Sequence, residues 1–113
     1  MEKFIYLFRG GLDHNASPEA MQASMQKWNN WMQSLQKNNT MAGGEPLMET
    51  GKQLTGTKKV VTDGPFIEAK EMVGGYLVVN AKNLDEAVEI AKGCPIFETN
   101  GRVEVRQVRK MDM

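Results

Sequence analysis

The chain has 113 residues, with 14 Lys+Arg against 14 Asp+Glu, one His and one Cys. That length suits one domain with a single core, and a zero formal charge argues against a dedicated nucleic-acid binder, which needs clustered positive charge to neutralise phosphates. His14 and Cys94 alone leave too few ligands for structural zinc and allow no intrachain disulfide.

No run approaches the ~20 apolar residues of a membrane span, and the start lacks the features of a signal peptide. A single unpaired Cys fits a reducing compartment. The expected setting is therefore the cytoplasm, with no membrane and no nucleic-acid partner.

Phe4–Phe8 is an unbroken aromatic and β-branched run, which predicts a first strand closed by Gly10-Gly11. Ser17-Pro18-Glu19 is a helix start: a capping hydroxyl, a proline where no amide donor is needed, and an acid near the positive end of the dipole. Met21, Met25, Trp28, Met32 and Leu35 then recur at helical spacing and predict one buried stripe, with Trp31 on its flank. The helix should end near Asn38 or Asn39.

Residues 40–62 predict an irregular strand or hairpin region, with extended pieces at about 52–55 and 58–62 around Gly56. Asp63-Gly64-Pro65-Phe66 has turn chemistry. Gly74–Asn80 reads as the next strand. Asn83 and Glu86 form a capping box for a second helix whose expected stripe is Leu84, Ala87, Val88 and Ala91. Gly93 and Pro95 stop it, a connector follows from Ile96 to Gly101, and Arg102–Val108 predicts a last strand. The order β-α-β(β)-β-α-β predicts an α+β, ferredoxin-like βαββαβ sandwich: an antiparallel sheet with two helices on one face, in a single domain over 1–113.

The first strand and the Gly75–Asn80 strand are apolar on both faces. Two helices cover one face of a sheet, so the other requires a cover. A second copy of the same sheet is the economical one, which predicts a homodimer. The competing expectation is that residues 40–62 fold over that face.

Among groups able to carry chemistry, Asp63 and Glu68 are the candidate acid/base carboxylates, and Lys70 is placed to orient an anionic ligand. The same charges equally suit a capped turn and solvated ion pairs. Arg9, at the end of the first strand, offers a carboxylate-binding fork. Trp28, Trp31, Phe66 and the methionines could line a small-molecule pocket, although helical spacing alone also explains a Met-rich core. Trp31, off the stripe, reads as a pocket rim or interface anchor. His14 reads as a surface residue and Cys94 as a small buried hydrophobe. No cofactor and no metal are expected.

The stretch Val61–Glu71, carrying Asp63-Gly64-Pro65-Phe66, followed by Gly74-Gly75-Tyr76, resembles the signature of the DGPF-domain proteins in the wider YCII-related family. Ser17-Pro18-Glu19, Gly43–Leu47, Leu84–Ala87, Cys94-Pro95 and Val103–Arg106 extend the resemblance in order along nearly the whole chain. The resemblance implies a ferredoxin-like dimeric α/β barrel. Some of those proteins carry a His on the first helix with an Asp nearby as an active-site pair, and the first helix here has no His. Three functions stand as expectations. The first is a small-molecule-binding or accessory regulatory module. The second is a cofactor-independent enzyme, monooxygenase- or isomerase-like, using a carboxylate. The third is a non-catalytic partner in a sigma-factor pathway, which rests on the family's association with such factors.

Overall fold

The computed structural model describes residues 1–12, 15–64 and 72–111. The elements in chain order are β1 (Glu2–Arg9), α1 (Pro18–Lys37), β2 (Met41–Pro46), β3 (Gly51–Thr55), β4 (Val60–Gly64), β5 (Val73–Ala81), α2 (Leu84–Ala91), a 3₁₀ turn over Pro95–Thr99 and β6 (Arg102–Gln107).

The helix boundaries follow from capping. The Ser17 hydroxyl accepts from the Ala20 N–H at 3.1 Å, with Pro18 in the first turn. Asn83 accepts from the Glu86 N–H at 2.9 Å, while the Glu86 carboxylate reaches back to the Lys82 N–H at 3.0 Å. This satisfies two amides reciprocally, as in a capping box.

β2, β5, β1 and β6 form one antiparallel sheet in that spatial order. This is the ferredoxin-like arrangement of two interleaved βα units. β3 and β4 form a separate two-stranded ribbon inserted between β2 and β5.

Strand alternation sorts the side chains. Phe4, Tyr6 and Phe8 of β1 and Leu77, Val79 and Ala81 of β5 are buried, and α1 and α2 add Leu35, Ala87 and Ala91 to the same core. Burying a large apolar side chain is worth about 1.5–3 kcal/mol, so this layer supplies most of the stabilisation. The other face presents Ile5, Leu7, Tyr76 and Val78, all half-buried, bordered on β6 by exposed Arg102, Glu104 and Arg106.

Several local expectations are corrected. Asp63 and Gly64 do not open a turn; they end β4, opposite Lys52 and Gly51. The buried residues of α2 are Ala87 and Ala91, with Ile90 packed beside them, whereas Leu84 and Val88 are exposed. The register is rotated because small alanines let the helix lie close to the sheet. The connector before β6 begins as a 3₁₀ turn from Pro95, closed by Asn100 at φ 61°. His14 lies outside the described residues.

Candidate functional site

The stripe on α1 is unevenly buried. Leu35 is 6% exposed, but Met25, ten residues earlier, is 65% exposed. The N-terminal half of the helix therefore stands away from the sheet, and the gap is a cavity of about 580 Å³. Its wall on the helix side is Met21, Met25, Trp28 and Met32. The sheet side offers Phe8, Met41 and Leu77, with Ile96 from the 3₁₀ turn.

Glycines create the space. Gly10, Gly11, Gly44, Gly74 and Gly75 all line the cavity, and they come from the three Gly-Gly pairs of the sequence. Gly44 has no alternative: a Cβ there would sit 2.3 Å from Leu77 Cδ2 and 2.5 Å from the Tyr76 carbonyl oxygen. In sequence, Gly10-Gly11 reads as a strand end and Gly74-Gly75 as the start of the next strand. Their convergence was the available signal for the cavity, and only the sheet order shows that they meet.

Residues with polar side-chain groups on the described lining are few: Ser24, Asn29, Thr99, Glu45 and Tyr76. Glu45 pairs with Tyr76 in the ladder, one position from Gly44, whose missing Cβ faces Leu77 in the core. Alternation sends the Glu45 side chain to the opposite face. No Lys, Arg or His is among the described lining residues. Thioethers, aromatic rings and bare backbone suit an apolar molecule of variable shape.

The sequence candidates separate clearly. Trp28 lines the cavity, with its ring edge-on to Phe8 at 5.0 Å. Trp31 does not rim it. It stacks on Tyr6 at 6.4 Å and 20°, and its indole nitrogen lies 3.2 Å from where a Gly93 Cβ would stand. Trp31 belongs to the core contact between α1 and the end of α2. Arg9 donates to Glu104 at 2.7 Å, across β1 and β6, and is not part of the lining. Asp63 is on the ribbon, its side chain 82% exposed and paired with Lys52. Phe66, Glu68 and Lys70 lie outside the described residues, as does Glu71. The described residues hold no group of three or more metal-ligating side chains.

A second depression, of about 610 Å³, lies at the far end of the sheet between Glu2, Lys82, Leu84 and Lys110. It is shallow, and Lys110 already pairs with Glu2 at 3.2 Å. The deeper, more apolar cavity under α1 is the better site.

Two buried titratable groups lie behind it. The Tyr6 hydroxyl donates to the Ala87 carbonyl at 2.5 Å, and burial, then the neighbouring Cys94, raises its pKa above the ordinary phenol value. Burial pushes the Cys94 thiol up to about 12, against a smaller lowering by a backbone hydrogen bond at Ile96. Both groups are held neutral by the fold, so their contribution is complete below their unfolded pKa values and is lost as pH rises toward the folded ones. Thermal stability should be flat from pH 6 to 8 and fall above about pH 9, by at most ~1.4 kcal/mol per pH unit per group. Melting curves across pH 7–11 check this. In the native state at pH 8, Cys94 should resist thiol reagents, and labelling at the rate of a free thiol would contradict its burial.

An α+β fold of this topology, with a cavity between its first helix and its sheet, is a ferredoxin-like module. The YCII-related domain model matches residues 9–112, and the chain belongs to the YCII-related family. No curated protein is significantly similar in sequence. Among solved structures, the chain is similar to 5-chloro-2-hydroxyhydroquinone dehydrochlorinase (TftG) from Burkholderia phenoliruptrix, in complex with 2,5-dihydroxybenzoquinone. The identity is 16% over 95% of this chain and 93% of that one, with a TM-score of 0.49. No described helix is long and apolar enough to cross a membrane.

Proposed function

We propose that this chain is a small-molecule-binding module of the YCII-related family that works as a homodimer in the cytoplasm, holding an apolar ligand between α1 and the sheet. The observation that carries the reading is the glycine-floored cavity walled by Trp28, Phe8 and methionines. Its volume falls within the range of small-molecule sites, roughly 300–1,000 Å³. Pairing of two copies over Ile5, Leu7, Tyr76 and Val78 is supported by their apolar character on a face that neither helix occupies. The carboxylate-enzyme reading draws no support from Asp63, which is solvated and ion-paired on the ribbon.

A thermal-shift screen with uncharged apolar metabolites tests the site. A ligand at 100 times its Kd adds about 2.7 kcal/mol of stability, a rise of several degrees. Met25→Lys, at an exposed wall position, should abolish that rise while leaving the unliganded melting temperature within about 2 °C. The site assignment fails if no compound class shifts the wild type, or if the variant responds equally.

A further inference from the structure

The β3–β4 ribbon is the least explained part of the molecule. Among the described residues its strands pair only with each other, and every residue from Gly51 to Asp63 is exposed. A two-stranded hairpin with no packing partner is marginal at best in water. Yet this one carries Leu54 at 62%, Val60 at 52% and Val61 at 54% exposure, with Leu47 and Met48 at its root at 48% and 83%. Leu54 and Val61 are direct cross-strand partners on one face, with Lys52 and Asp63 paired beside them on the same face. The chain as a whole is also extended: the radius of gyration is 15.8 Å, against about 13 Å for a compact chain of this length.

The face proposed for pairing has the converse difficulty. Ile5, Leu7, Tyr76 and Val78 are already half-buried. Covering them completely removes on the order of 200 Å² of apolar surface, whereas a stable interface buries ~800 Å² per partner, more than half of it apolar. Leu54 and Val61, with Leu47 and Met48 at the root, offer on the order of 400 Å² more, enough to close the gap, while Val60, opposite Thr55, points to the other face of the ribbon. The ribbon leaves the sheet from β2 and returns into β5, whose Tyr76 and Val78 belong to the pairing face. In the chain it is thus inserted between two neighbouring strands of that sheet.

We infer that the β3–β4 ribbon is a dimerisation arm, its Leu54–Val61 face lying against a second copy of this chain. The inference rests on the homodimer reading and adds where the missing interface area comes from. Leu54→Lys combined with Val61→Glu keeps an opposite-charge pair across the strands but removes the apolar face. Sedimentation equilibrium of wild type and variant from 1 to 100 μM reads the dimer constant. Hydrogen exchange of the β3 and β4 amides at both ends of that range reads the contact itself.

A dimeric wild type, an increase in the variant's dimer dissociation constant of about 100-fold, and concentration-dependent protection of β3 and β4 are the expected results. A variant that dimerises like the wild type overturns the arm and leaves the sheet-face pairing intact. Protection independent of concentration places the ribbon against its own chain and overturns the arm as well. A wild type that stays monomeric throughout overturns both the arm and the homodimer.

Discussion

Trp31→Ala should cost about 3 kcal/mol of folding stability and lower the melting temperature by more than 10 °C. Trp31 stacks on Tyr6, meets Trp28 edge-on at 5.9 Å and Phe8 at 6.4 Å, and lies against Gly93. Its removal opens a hole at the junction of both helices and β1, where every neighbour is itself held in place by packing. Trp28→Ala should cost less, about 1–2 kcal/mol, because one side of that ring already borders empty space. The two substitutions should also separate by function: Trp28→Ala weakens ligand-induced stabilisation, whereas Trp31→Ala leaves the cavity wall in place. Urea titrations of both variants check the ranking. Equal stability losses would place the two tryptophans in equivalent surroundings and contradict this assignment.

Gly44→Ala should destabilise by about 3 kcal/mol despite adding one methyl group. The new carbon would overlap the Leu77 side chain and, more decisively, the Tyr76 carbonyl oxygen. A carbonyl in a β-ladder cannot step aside without loosening the β2–β5 register. Gly43 is the control. It shares a positive φ of 154°, but nothing lies within 4 Å of its Cβ position, so Gly43→Ala should show backbone strain alone, about 1 kcal/mol. Denaturant midpoints for the pair measure the difference, and similar losses at the two positions would sink the overlap argument.

The fold was legible where one signal set one element. Ser17-Pro18 and Asn83/Glu86 start their helices as the capping chemistry predicts. The uninterrupted apolar run at Phe4–Phe8 is an interior strand of the sheet, with Phe4, Tyr6 and Phe8 buried under the helices. The extended pieces expected at 52–55 and 58–62 are close to β3 and β4.

What periodicity could not show is distance. Met21, Met25 and Leu35 lie on one stripe, but whether a stripe touches the sheet depends on the tilt of the helix, which the glycines of three separate segments set together. Trp31 lies off the cavity lining for a related reason: a flank position is exposed on a lone helix, and here Tyr6 and Gly93 come up against it. Leu84 and Val88 lost the core to Ala87 and Ala91 because closeness of approach outweighed side-chain size. The Asp63-Gly64 pair carries turn chemistry, but the ladder to Lys52 and Gly51 took precedence over it.

The two rims of the main sheet also carry a consequence for the chain's fate at high concentration. β2 has a register shift between Met41 and Gly43 and ends in Pro46, which has no N–H to offer. β6 presents exposed Arg102, Glu104 and Arg106. An incoming strand would meet a kinked donor row on one side and desolvate three charges on the other. Lateral growth by strand addition is therefore blocked at both margins. Fibril growth, where it starts at all, would have to start elsewhere than at the margins of the four-stranded sheet.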